Sequence, residues 1–212
     1  MVRKTKEETL ATRNQLLDAA EDVFYTKGYA QTTLMDVANH CGMTRGAIYW
    51  HFKNKVDLFE AMVERVRTPL DALAEEPADD NEFDPLNKMR EFSIKFLKDV
   101  FHDEQKRRVF TILFHRFEMN GSVPELELRQ QQAFCECTDR IERGLKNAVN
   151  KGQLPKDLDT KKAALIKHGY FAGLMNNWLF MPEAFSLDEM AESVVDNYIF
   201  MLKQSPFLRV KK

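Results

Sequence analysis

Glycine and proline are scarce, with 8 Gly and 7 Pro in 212 residues, and glycine falls well below the ~7% of an average protein. The 35 residues between Pro85 and Gly121 contain neither, nor do the 23 between Pro182 and Pro206. A sheet protein of this size needs many tight turns built from such residues. Their shortage argues against sheets and predicts an all-α chain. Long apolar runs are also missing: none approaches the ~18 residues of a membrane-spanning helix, so no membrane association is expected. The opening residues, Met1-Val2-Arg3-Lys4-Thr5-Lys6-Glu7-Glu8, carry no hydrophobic segment, and no secretory signal is expected. Three cysteines, Cys41, Cys135 and Cys137, are too few and too odd for a disulfide scaffold, which points to a reduced cytoplasmic setting.

Catalytic and metal-binding patterns are absent as well. The five histidines, His40, His51, His102, His115 and His168, show no ligand-like pairing, His115 and His168 reading as interior histidines. There is no glycine-rich phosphate loop, nucleophile elbow or HExxH motif. Cys135 and Cys137 lie two apart on a predicted helix, hence ~200° apart, and cannot share one metal. No catalytic residue, metal or cofactor is therefore expected, and an enzyme has no named nucleophile to support it. A thiol-based redox sensor is the alternative the cysteines raise, although Cys41 reads as turn packing.

What is present is ordinary globular material, 44% hydrophobic and 30% charged. The net charge of −2 hides an asymmetry: residues 1–55 sum to +2 and the remainder to −4. A basic end on an acidic body suits a polyanion partner, but the excess is too small to carry that assignment alone.

The apolar periodicity predicts about nine helices. The first runs from about Glu7 to Lys27, with Leu16, Ala20, Val23 and Phe24 on one stripe and Gly28 as its stop. Thr32 or Thr33 caps a short helix to about His40, Thr44 a very short one to about Trp50, and Asn54 a fourth to about Leu73, with a kink expected at Pro69. Seven acids and no bases fall between Asp71 and Asp84, which reads as a solvated helix end and loop. Pro85 opens a fifth helix striped by Met89, Phe92, Phe96 and Val100. Residues from about Gln105 to Met119 are nearly apolar all round, predicting a buried central helix. A seventh spans about Pro124–Lys151, an eighth about Asp159–Met181 and a ninth about Leu187–Lys203. The last two carry apolar residues beyond one stripe, so each needs a second partner surface, namely another subunit.

Residues 33–53 fit a helix-turn-helix. Val37 and Ala38 allow close packing, Gly42 makes the turn, and Cys41, Met43 and Ile48 supply a small shared core. Arg45 and Tyr49 are four apart on one face, with Thr44 ahead and Gly46 between. Arginine can bond a guanine edge in bidentate fashion, and an aromatic ring can meet a thymine methyl or a phosphate. Gly46 weakens the helix but lets the backbone approach a duplex. Trp50, His51 and Lys55 continue the surface, Lys55 at a helix start that favours phosphate.

The run Thr44-Arg45-Gly46-Ala47-Ile48-Tyr49-Trp50-His51-Phe52-Lys53-Asn54-Lys55 resembles the DNA-binding signature of the TetR family of bacterial transcriptional repressors. Arg3-Lys4-Thr5-Lys6-Glu7-Glu8, Thr12-Arg13, Gly169-Tyr170, Gly173-Leu174-Met175 and Trp178-Leu179-Phe180-Met181-Pro182 are similar to its multidrug-efflux, AcrR-like branch. The resemblance implies a cytoplasmic bacterial homodimer with a DNA-binding head at 1–53 and a ligand-binding, dimerising body at 54–212, joined by the fourth helix. By position it implies DNA contacts from Thr33, Thr44, Arg45, Gly46, Tyr49, His51 and Lys55, with a basic arm at Arg3, Lys4 and Lys6. It also implies an inducer pocket inside the body, among its fourth to eighth helices. The residues expected to line it are Met89, Phe92, Phe96, Phe110, Phe114, Cys137, Ile141, Phe171 and Met175, with His168 and Asn176 as polar contacts. The function implied is a repressor of an efflux-pump operon on an inverted-repeat operator, released by hydrophobic or aromatic inducers. The non-DNA alternative is a helical adaptor whose head binds protein.

Overall fold

The computed structural model describes residues 6–118, 121 and 123–210; Arg3 and Lys4 of the expected basic arm lie outside them. The described residues form nine α-helices: α1 (Lys6–Lys27), α2 (Leu34–His40), α3 (Arg45–His51), α4 (Lys55–Glu75), α5 (Pro85–His102), α6 (Glu104–Thr111), α7 (Pro124–Asn150), α8 (Thr160–Phe180) and α9 (Leu187–Gln204). Among those residues there is no strand beyond one isolated bridge, Leu158 to Arg209, and no helix long and apolar enough to cross a membrane.

Side chains at the helix starts satisfy the first backbone N–H groups. Thr33 and Asp36 form a reciprocal capping box on α2, and the Thr44 hydroxyl accepts from the Ala47 N–H at 3.3 Å on α3. The Asn54 amide oxygen accepts from the Asp57 N–H at 2.8 Å on α4, while Asp84, Asp159 and Ser186 cap α5, α8 and α9. Helix α4 continues through Pro69. Gly28, at φ 79°, ends α1 in the left-handed region that glycine enters without a Cβ penalty.

Two compact units emerge. One takes in the chain up to Arg67 together with Arg108–Glu127; the other comprises Thr68–Arg107 and the chain from Leu128 onward. The first is built on Leu16, Ala20, Phe24, Val37, Ala38, Ile48, Phe52, Leu58, Phe59 and Met62, all buried. Tyr29 sits in an aromatic cluster, its ring centroid 5.6 Å from Phe24, 5.0 Å from Phe59 and 5.3 Å from Phe117. At the edge of this core the Glu21 carboxylate of α1 is only 7% exposed. It pairs with Arg65 of α4 at 3.4 Å and Arg108 of α6 at 3.2 Å. The same arginines reach Asp18, at 2.6 Å from Arg65, and Asp22, and the Tyr29 N–H donates to the Arg116 carbonyl at 2.9 Å.

That arrangement corrects the expectation of a central helix from Gln105 to Met119 buried on all sides. Helix α6 stops at Thr111 and a π turn, Ile112–Arg116, follows. Val109, Ile112 and Phe117 are buried, whereas Phe110, Leu113 and Phe114 are half-covered and His115 is exposed rather than interior. The physical reason is charge: Arg108 must reach the carboxylates of α1, so one face of the segment stays polar. Met119 lies outside the described residues.

In the second unit α5 packs along α9, and three ion pairs flank the seam: Arg90–Asp196 at 2.5 Å, Lys98–Glu192 at 3.0 Å and His102–Asp188 at 2.9 Å. The buried stripe of α5 is Leu86, Met89, Ser93, Leu97 and Val100, which leaves Phe92 and Phe96 on its half-covered flank. Gly144 of α7 is required by proximity, since a Cβ there would lie 3.1 Å from both Met89 Cε and Pro77 Cβ. The acidic stretch is less solvated than its composition suggests. Arg140 holds Asp71 at 2.7 Å and Glu75 at 2.8 Å, and Pro77 is buried.

Replacing Arg108 with alanine leaves the buried Glu21 carboxylate with one cation instead of two. The expected cost is about 1–3 kcal/mol of stability, read as a lower urea midpoint; an unchanged midpoint would mean that Arg65 alone suffices.

Candidate nucleic-acid interface and ligand-facing residues

The geometry of α3 follows from one buried residue. Ile48 is fully buried, and with Val37 and Ala38 of α2 it pins the inner side of the helix. The turn between the two helices closes through Gly42, at φ 68°, and the Met43 N–H, which donates to the Ala38 carbonyl at 2.8 Å. The outer side is therefore set: Thr44, Arg45, Gly46, Tyr49 and Trp50 are exposed together, Trp50 at 80%. The Arg45 guanidinium lies 5.5 Å from the Tyr49 ring centroid, close enough for the ring face to hold the cation in place. A Cβ at Gly46 would meet only Thr44 Oγ1, at 3.9 Å. Among the described residues nothing demands glycine there, although it weakens the helix.

Two other residues read from the sequence as DNA contacts, Thr33 and Lys55, already have structural work. Thr33 donates its hydroxyl to Asp36 Oδ2 at 2.7 Å while accepting from the Asp36 N–H at 3.1 Å. The Lys27 ammonium, 2.8 Å from Asp36, together with Thr33 holds the Asp36 carboxyl well below the usual carboxylate range. Lys55 turns its ammonium onto the Tyr29 carbonyl at 2.9 Å and the Ala30 carbonyl at 3.4 Å. It also lies 4.3 Å from the Tyr29 ring centroid, and partial burial lowers its pKa. His51 is half-covered, with its ring 6.3 Å from that of Phe52. Spacing alone does not reveal such inward bonds, because the acceptors of Lys55 are backbone carbonyls 25 and 26 positions away.

The residues read as ligand-facing divide between the units. In the second, Met89, Phe171 and Met175 are buried, while Phe92, Phe96, Cys137, Ile141 and His168 are half-covered. Phe92 and Phe96 stack at 6.1 Å, and His168 meets the edge of Phe134 at 4.8 Å. Burial first, and the neighbouring Lys167 charge second, lower the His168 pKa. Asn176 lies on the opposite side of α8 from Phe171 and bonds its neighbour Asn177 at 3.5 Å. Phe110 and Phe114 belong to the first unit and are half-covered. A residue missed in the sequence is Lys167: it falls four before Phe171 and eight before Met175, on the buried stripe of α8. A lysine at that register was the available signal.

Two family models match the chain. The one for bacterial regulatory proteins of the tetR family covers residues 16–62, and the one for the C-terminal region of MAATS-type transcriptional repressors covers 84–204. The chain is 41% identical over 209 residues to the probable HTH-type transcriptional regulator ArpR of Pseudomonas putida, covering 99% of this chain and 100% of that protein. It is 39% identical to the HTH-type transcriptional regulator AcrR of Shigella flexneri, covering 99% and 97%. Among solved structures, the SmeT–triclosan complex superposes with a TM-score of 0.85 at 33% identity, covering 92% of this chain and 93% of that one. SmeT is the repressor of the Stenotrophomonas maltophilia multidrug efflux pump SmeDEF. With an exposed, arginine-bearing second helix of a helix-turn-helix and relatives matched end to end, the chain belongs to the TetR family of transcriptional regulators, in its multidrug-efflux, AcrR-like branch, and is not an enzyme.

Proposed function

We propose that the protein is a cytoplasmic, ligand-responsive repressor of a multidrug efflux operon, binding an inverted-repeat operator as a homodimer. The carrying observation is the outer side of α3, where Thr44, Arg45, Gly46 and Tyr49 are exposed together over a buried Ile48. In this reading residues 1–53 are the DNA-binding head and 54–212 the ligand-binding and dimerising body. Arg45 reads a base edge, while Thr44, Tyr49 and His51 position phosphates. Lys55 and Thr33 serve mainly as braces that fix the start of α4 and of α2. Two copies of α3 enter successive major grooves ~34–36 Å apart.

Dimerisation through α8 and α9 is supported by what those helices leave uncovered. Leu165, Ile166 and Phe180 of α8 and Met190 and Phe200 of α9 are exposed. Cβ atoms at Gly169 and Gly173 would meet nothing within 4 Å, so a second helix can approach closely there. Hydrophobic or aromatic inducers are supported by the half-covered Phe92, Phe96, Cys137 and Ile141 and by the triclosan bound to SmeT. Release follows if the inducer favours a head spacing that cannot span both half-sites. By linkage, operator then weakens inducer by the same factor, typically ~1–3 kcal/mol.

Fluorescence anisotropy with DNA from upstream of the protein's own gene, against a scrambled fragment, tests the reading. Selective binding is expected, and Arg45→Ala costs about 1–3 kcal/mol per half-site with relaxed specificity. Equal loss on both fragments would show that Arg45 does not read bases. Lys55→Ala is expected to lower the melting temperature, by about 1 kcal/mol of stability for its lost bonds, and to weaken both DNAs alike. Leu165→Glu is expected to yield monomers by light scattering that bind the operator poorly; an intact dimer would move the interface elsewhere.

A further inference from the structure

The buried stripe of α8 carries two hydrogen-bond donors that, among the described residues, have no acceptor. Lys167 is 8% exposed; its Nζ lies 5.3 Å from the Phe171 ring centroid and, among the described residues, forms no hydrogen bond or ion pair. Eleven residues on, the Trp178 indole Nε1 is buried without an acceptor, its ring packed 5.5 Å from Phe101. Eleven residues advance a helix by about 16 Å and return to within about 20° of the same face. Phe171 and Met175 lie between them on that face. Buried charges are normally paired and buried polar groups bonded, so a lysine and an indole left open on one stripe are exceptions with a common chemistry. Both donate, and neither accepts.

Helix α7 supplies the facing surface: the Cys137 thiol acts electrostatically on Lys167, and Ile141 follows one turn later on the same side of that helix. Both are half-covered, so the lysine lies beneath a partly open, apolar lining. Burial pushes the Lys167 ammonium down to about 8, with Cys137 opposing, so the charged form persists near neutral pH. A cation in such a place is destabilising until an anion joins it.

We propose that the body binds an elongated apolar molecule with a single anionic group, a carboxylate or phenolate, whose charge is held by Lys167 on the stripe that ends at Trp178. This rests on the reading of the body as a small-molecule receiver and names the class of molecule it takes. The apolar part lies along Phe171 and Met175, and Lys167 confers preference for acids over neutral isosteres of equal shape.

The test is calorimetric titration of the full-length protein with 4′-hydroxybiphenyl-4-carboxylate and with the corresponding neutral carboxamide. The acid is expected to bind at least tenfold more tightly. Lys167→Met, close in volume, is expected to erase that preference while leaving the carboxamide affinity within about twofold and raising the ligand-free melting temperature. Lys167→Arg is expected to retain the preference. Equal affinity of the native protein for acid and carboxamide overturns the proposal but leaves a ligand-receiving body standing. Persistence of the preference in Lys167→Met also overturns it, placing the anion elsewhere. Binding of neither compound overturns both this proposal and the reading on which it rests, and the native comparison decides even if a variant fails to fold.

Discussion

Glu21 is the constraint on which the first unit turns. A carboxylate 7% exposed on α1 is tolerable only because Arg65 and Arg108 neutralise it from two other helices, since an unpaired buried charge is strongly destabilising. Both helices span a boundary between the compact units, α4 at Arg67 and α6 at Arg108, as α7 does at Glu127. The pairing thus ties α1 to α4 and α6 within the first unit. Any displacement of α4 or α6 must stretch a charge pair on α1 or carry α1 with it.

The outer side of α3 follows from the same packing. With α1 held, the Tyr29 corner is fixed by the Arg116 carbonyl and by the Lys55 ammonium, and Ile48 has one place to go. Arg45, Gly46 and Tyr49 then face outward together, with no polar partner among the described residues deciding their position. Stability and recognition are divided between neighbours: Thr33, Asp36 and Lys55 brace, while Arg45 and Tyr49 are left for a partner.

Much of this was legible in the sequence. Helix starts at Thr33, Thr44, Asn54, Pro85 and Pro124 announce themselves because capping and proline chemistry are local. The helix-turn-helix was legible because its motif residues, Thr44 to Lys55, are contiguous in the sequence. What stayed hidden is long-range. The polar side of α6 exists because Arg108 reaches Asp22, 86 positions away, and no local window contains both. Phe92 and Phe96 match the apolar period of α5 as well as Ser93 and Leu97 do, but only packing decides which residues face α9. Asn176 was expected as a polar pocket contact from the resemblance, yet its register places it across α8 from Lys167. Lys167 itself was overlooked because a lysine is ordinarily solvated.

The central claim is that the outer side of α3 meets DNA, and Trp50, 80% exposed on that helix, reports on it directly. In a Trp178→Phe protein Trp50 is the sole tryptophan, so its emission can be followed while DNA from upstream of the protein's own gene is added. The account predicts a saturable change in Trp50 emission that tracks anisotropy of the same DNA, needs far more of a scrambled fragment, and weakens steeply with salt as counterions are released. Tight, selective DNA binding with Trp50 emission unaltered would contradict it and place the nucleic-acid surface on another face of the molecule.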